Sequence, residues 1–153
     1  MNSEFIISIL NIFLLFIISL IDIKKLKIHN ISVIFLLILG IFYQLYIDKN
    51  INEFFYYFLL SALLLFLGFL LFVMGVWGAG DAKLVSVSIL FVNLNNVAFM
   101  LMSSFIFSAL FGLFYIFFKN RFSLEGILKF YGKNRIPFAP GVFLGVATTN
   151  LIY

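Results

Sequence analysis

Two aspartates stand out in a chain with little charge. Asp22 closes a long apolar run, and Asp81 sits in the stretch WGAGDAKL, Trp77 to Leu84, where another apolar segment begins. An ionisable group at membrane depth is costly and reads as functional. Two carboxylates near each other in a poorly hydrated site do not both ionise easily, so the pair shares a proton. One can then act as base toward a water while the other, protonated, polarises a peptide carbonyl. This is aspartic protease chemistry, and it needs neither a metal nor a side-chain nucleophile. It also requires that one proton be present and only one. Activity is therefore expected to fall at both low and high pH.

The remaining side chains narrow the alternatives. The sequence holds no cysteine, which excludes disulfides, zinc–thiolate sites and thiol nucleophiles. Its single histidine, His29, rules out a histidine-based metal cluster and argues against a Ser-His-Asp triad. No metal and no cofactor is expected. Of the six acidic residues, Glu4, Asp48 and Glu53 fall on one predicted side of the membrane and Glu125 in a polar loop. Asp22 and Asp81 both fall at helix ends on the other side. Gly78 and Gly80 flank Ala79 just before Asp81. Glycine opens backbone conformations closed to other residues and removes a side chain where a substrate strand must approach. Lys83, two residues beyond Asp81, points elsewhere on a helix and is expected to meet headgroups or another loop. Taken singly, each aspartate also fits a plain role. Asp22 would be a cap or interfacial residue, and Asp81 an N-cap with Gly78 and Gly80 forming a turn. Trp77 fits an interfacial aromatic belt, and His29 an interfacial polar position.

The elements that must position these residues are set by composition. Of 153 residues, 65% are hydrophobic and 10% charged, and the mean hydropathy is +1.21. A soluble domain of this length has too little interior to hide so much apolar surface. Long apolar runs with few charges read as transmembrane helices. The 23 phenylalanines are spread along the chain and suit lipid contact. There is no basic face of the kind that binds nucleic acid.

Six apolar segments are expected as membrane helices: Phe5–Ile21, Ile31–Ile47, Phe54–Val76, Ala82–Val92, Val97–Phe118 and Phe138–Tyr153. The bilayer core takes about 20 residues of straight helix. The fourth and sixth segments are shorter, so they end in polar turns inside the protein or thin the bilayer locally. The fourth also suits a hairpin with the fifth around Asn93–Asn96. The connections are Asp22–Asn30, Asp48–Glu53, Trp77–Gly80, Asn93–Asn96 and Lys119–Pro137. No repeat or linker is evident, and residues 1–153 read as one all-α, polytopic membrane domain. The N-terminal run lacks a positive flank and a small-residue cleavage site, so it reads as a retained first helix.

Orientation follows from the basic residues. Lys24, Lys25, Lys27, Lys83, Lys119, Arg121, Lys129, Lys133 and Arg135 fall on one side and only Lys49 on the other. The N-terminus is expected outside, with Asp22 and Asp81 at the cytoplasmic face of a multi-pass cell inner (cytoplasmic) membrane protein.

Three segments carry a family resemblance. GAGD followed by AKL resembles the GxGD-x-K-L signature of prepilin peptidases, polytopic aspartic proteases that trim type IV prepilin-like precursors. DIKKLKIHN, Asp22 to Asn30, resembles the family's first-aspartate segment, in which an Asp is followed by Ile-Pro-Asn. IPFAPGVFLG, Ile136 to Gly145, resembles the Ile-Pro-Phe-x-Pro segment that opens the last helix. The resemblance implies a catalytic dyad of Asp22 and Asp81, with Gly78, Gly80, Lys83, Asn30, Pro137 and Pro140 binding substrate or shaping the site. It implies a prepilin-like protein as substrate, cut after a glycine that precedes an apolar helix. His29 stands where the family usually has proline, which gives up a constraint on the second helix without touching the aspartates. Larger members carry an N-terminal region with zinc-binding cysteines, associated with methylation. This chain resembles the short peptidase-only form of tight-adherence (Flp-type) pili, or archaeal preflagellin peptidases, and no methyl-donor cofactor is expected.

Pro137 and Pro140 also read physically. Proline is tolerated in a first helical turn, and an irregular helix start belongs at a buried or water-lined place in a membrane protein. A simple loop-to-helix turn fits them equally. Gly141 and Gly145 form a small-xxx-small pair suited to close helix packing. The rival functional class is a small ion- or proton-coupled transporter that uses the two aspartates. Their position at one face, and the lack of an inverted repeat, weigh against it. A third reading is a membrane scaffold, or an inactive homologue with a structural dyad.

Overall fold

Apolar chain in contact with lipid must satisfy its own backbone groups, and a helix does so within one segment. The computed structural model describes residues 3–47, 51–121 and 136–152, and among these there are helices and short turns but no strand. The α-helices are α1 (Ser3–Lys25), α2 (Asn30–Ile47), α3 (Ile51–Val73), α4 (Ala79–Ser88), α5 (Val97–Arg121) and α6 (Ala139–Ile152). They fall on the six expected apolar segments. Three stretches, Ile7–Lys25, Asn52–Val73 and Leu94–Phe117, are long and apolar enough to cross a membrane alone. Asn30–Tyr46 and Ala139–Ile152 are shorter apolar helices.

The boundaries differ from expectation in instructive places. The third segment was expected to reach Val76, but α3 stops at Val73. Gly75 takes a left-handed conformation (φ 74°) that only glycine adopts at no cost. Its N–H donates to the Phe72 carbonyl, and the Val76 N–H reaches back to Leu71. That is the Schellman arrangement, and it satisfies the last carbonyls of the helix. Glu53, expected in a connection, lies in the first turn of α3. Residues 48–50 and 122–135 lie outside the described residues, and with them Asp48, Lys49, Glu125, Lys129, Lys133 and Arg135.

The fourth segment resolves one of the open choices. It is not a lipid-facing span but the centre of the protein. Residues from Leu84 to Val92 are buried without interruption. After Ser88 the helix tightens into a 3-10 turn (Ile89–Phe91), and a second one (Leu94–Asn96) leads into α5. Backbone groups freed by this irregular end find side-chain partners. Gln44 of α2 donates to the Leu90 carbonyl at 2.7 Å. The Leu94 N–H donates to the Tyr57 hydroxyl of α3 at 3.1 Å. Ser61 of α3 donates to the Ser86 carbonyl at 2.8 Å. The stretch Leu84–Val92 holds only apolar residues and two serines, whose hydroxyls donate to carbonyls of the same helix, so it suits a buried place, and α2, α3 and α6 pack around it.

The opposite pattern holds on the outside. On α3, Phe55, Phe58, Leu59, Leu63, Phe66 and Phe69 are exposed, and on α5 so are Met102, Ile106, Leu113 and Phe117. These are the faces for lipid. The α5–α6 pair is the closest packed. A Cβ on Gly141 would stand 2.6 Å from the Ser108 Cα, and one on Gly145 2.8 Å from the Ser104 Cα. The glycine pair therefore does bring α6 against a neighbour, and that neighbour presents its own small residues at the same four-residue spacing.

Candidate active site

Asp22 lies in the last turns of α1 and is 4% exposed. Beyond Lys25 the chain turns sharply. Leu26 adopts a left-handed conformation (φ 48°), and its N–H donates to the Asp22 carbonyl at 2.7 Å. That conformation costs a non-glycine residue roughly 1–2 kcal/mol, so the packing around the turn must hold it. His29 and Asn30 then open α2, with the His29 carbonyl accepting from the Ser32 and Val33 N–H groups.

The Asp22 side chain reaches the first turn of α6. The start of a helix leaves N–H groups that need acceptors, and here each one can be followed. Pro137 and Pro140 have no N–H. Gly141 donates to the Phe138 carbonyl at 3.0 Å. Phe138 and Ala139 both donate to one oxygen of Asp22, Oδ2, at 3.0 Å each. A carboxylate suits this place, because the N-terminal end of a helix carries partial positive charge. The Ser108 hydroxyl donates to the Phe138 carbonyl at 3.3 Å, which ties the same turn to α5.

Asp81 is the third residue of α4. The capping position belongs to Gly78, whose carbonyl accepts from the Asp81 and Ala82 N–H groups. The two glycines have separate uses. A Cβ on Gly78 would stand 2.6 Å from the Asp81 Oδ2, so glycine leaves room for the carboxylate. A Cβ on Gly80 would stand 3.0 Å from the Ile28 Cβ. Glycine there lets the first turn of α4 approach the connection that follows Asp22.

Both aspartates line one cavity of about 910 Å³, together with Gly78, Gly80 and Pro137. Lys27 also lines it, and its other walls come from Leu26, Leu71, Phe72 and Ser108. Asn30, Lys83 and Pro140 are not among the lining residues. Pro140 is buried in the first turn of α6. Lys83 reaches the first residue of α2: its Nζ donates to Asn30 Oδ1 at 3.1 Å. This contact joins the helix of Asp81 to the start of α2.

An aromatic wall was not foreseen. Trp77 is half-buried. Its ring lies 5.6 Å from that of Phe105 and meets Phe138 edge-on at 5.2 Å. All three line the cavity. Phe138 thus offers its N–H to Asp22 and its ring to the residue before Gly78. A lone tryptophan at a helix end carries no sign of which way it faces, and the bilayer interface is only one of the places that suit it.

The comparisons with known proteins bear on this arrangement. A family model described as the type IV leader peptidase family matches residues 9–117. The chain belongs to this family. The matched stretch contains both aspartates and the glycine turn and ends before α6. No curated protein and no solved structure matched the chain. Membership makes the chain a membrane protease, and the family's substrates are prepilin-like proteins. The IPFAPG segment, which lies outside the match, is the one that supplies the Asp22 contacts.

Proposed function

We propose that this leader peptidase is an aspartic endopeptidase in which Asp22 and Asp81 activate water to cut the leader from type IV prepilin-like precursors. The observation that carries the reading is the convergence of the two carboxylates on one cavity beside a glycine turn. One carboxylate takes a proton from water as the oxygen attacks the scissile carbonyl carbon. The other carboxyl, protonated, hydrogen-bonds the carbonyl oxygen as it becomes a hydroxyl of the tetrahedral intermediate. Collapse of the intermediate breaks the C–N bond, and the proton passes to the leaving amine. The products are the leader's new carboxylate and the mature chain's new amine. An extended substrate lies along Gly78–Gly80, and the aromatic wall faces the apolar segment that follows the cut.

The distribution of lysine and arginine supports a cytoplasmic-face site in a multi-pass inner-membrane protein. No observation favours a transporter. The test is co-expression with a prepilin-like substrate, reading the mobility shift and the N-terminal sequence of the product. Asp22→Asn and Asp81→Asn should each lower cleavage by roughly 10²–10⁴-fold at equal protein level. Cleavage that survives in either variant removes that residue from the mechanism.

A further inference from the structure

We propose that the first turn of α6 is a positioning element for catalysis: the backbone N–H groups of Phe138 and Ala139 fix the Asp22 carboxylate so that only Oδ1 is turned to the reacting water. This inference rests on the dyad reading above. It concerns a segment outside the stretch that identifies the family.

A carboxylate on a free side chain rotates about its last bond, and its two oxygens are interchangeable. Here Oδ2 accepts two N–H groups at 3.0 Å each. Backbone donors in a helix turn do not rotate, so the pair sets both the position of that oxygen and the plane of the group. The two prolines make the donor set exclusive, because neither Pro137 nor Pro140 adds a donor. The turn itself is held from behind. Ser108 binds the Phe138 carbonyl, and the close approach of Gly141 to Ser108 sets how deep α6 sits on α5. A chain of fixed contacts therefore runs from α5 through α6 to one oxygen of Asp22. Such support matters because an active-site group displaced by about 1 Å can cost about 10²-fold in rate.

The test removes one donor with little change of shape; an ester at Ala139 also weakens the Phe138 carbonyl as an acceptor, which the Phe138 ester leaves intact. Replacing Ala139 by its α-hydroxy counterpart turns the N–H into an ester oxygen and leaves the side chain intact. Hydrogen bonds to charged groups are strong enough that kcat should fall by roughly tenfold or more, with KM little changed. The same replacement at Ala147, inside α6 and away from Asp22, should leave kcat unchanged. The Phe138 ester gives a second reading on the same oxygen. Melting of each purified variant reports whether it folds. If the Ala139 and Phe138 esters cleave like the unaltered chain while Asp22→Asn is inactive, the positioning role is overturned and the dyad stands. If Asp22→Asn cleaves normally, the dyad reading itself fails. If both esters lose the fold while the Ala147 ester keeps it, the turn is a structural cap and the positioning role is likewise overturned.

Discussion

The two aspartates sit on walls built in different ways. Asp22 is held by groups 116 and 117 residues away in sequence, the N–H groups of Phe138 and Ala139. Asp81 is carried on a short turn: its carboxylate stands beside Gly78, three residues back, and the turn begins with the left-handed Gly75. Asp22 is almost fully buried and Asp81 only partly so. One carboxylate closes a tertiary contact between α1 and α6. The other is carried by a turn shaped to leave space. A site of two chemically identical groups is thus mechanically unequal, and a substitution at one is not equivalent to the same substitution at the other.

Truncation separates the two roles most sharply. Asp22→Ala leaves two N–H groups at a buried helix start without their acceptor. Stability should fall by about 2–4 kcal/mol, from the lost cap and the stranded donors. For Asp81→Ala, the share lost from the carboxylate's interaction with the helix end is about 0.3–1 kcal/mol. Asp22→Asn keeps a carbonyl oxygen that can accept both N–H groups, so it should retain most of the stability while losing the chemistry. Thermal melting of the purified variants, set beside their cleavage rates, checks all three. Equal melting of Asp22→Ala and Asp81→Ala would erase the proposed difference between the walls.

The next effect is on activity with little change in fold. Gly78 has ordinary extended dihedrals (φ −81°, ψ 141°), which alanine adopts as well. The obstacle to a methyl group is the Asp81 Oδ2, 2.6 Å from where it would stand. That atom ends a side chain, so the carboxylate yields and the backbone does not. Gly78→Ala should therefore lower kcat by about 10–100-fold through displacement of Asp81, while the melting temperature moves by only a few degrees. A variant that cleaves normally would show that the position of Asp81 tolerates this shift.

How much of this was legible follows from the reach of each signal. Helical segments, their order and the two aspartates at one end could be read, because hydropathy and rare charges are local properties of the chain. The Gly141–Gly145 pair could be read for the same reason. The cap on α3 was within reach too: Gly75 stands where a left-handed residue ends a helix, and counting hydropathy past it placed the boundary too late. Two features were not accessible. Hydropathy does not distinguish a helix apolar because it meets lipid from one apolar because it meets protein, so the central position of α4 stayed open between alternatives. The acceptor role of Asp22 was hidden more completely. Its donors are main-chain groups, which every residue but proline carries, and the sequence does not mark which of them end up opposite a given carboxylate. The prolines on either side were the available sign, since they mark a helix start with few donors of its own.

The smallest effect concerns the link between the two walls. Lys83 Nζ and Asn30 Oδ1 meet at 3.1 Å in an exposed position, joining α4 to α2. Exposed contacts of a charged side chain are screened by water and cost side-chain entropy, so pairs of this kind contribute about 0.2–1 kcal/mol. Lys83→Met and Asn30→Ala should each lower stability by no more than that. A double-mutant cycle should return a coupling of the same size, because the two residues touch. The cycle is informative for cleavage as well. Lys83 lies two residues from Asp81, and Asn30 opens the helix that follows the Asp22 turn, so the contact spans the two aspartate-bearing segments by the outer route while Trp77 and Phe138 span them by the inner one. If the outer contact only trims stability, kcat in the single and double variants should stay within about fivefold of the unaltered enzyme, a range set by the same energy. A larger drop that is the same in both single variants and the double would mean that the aspartates are aligned through Lys83 and Asn30. The glycine turn would then depend on the α1–α2 connection for its geometry.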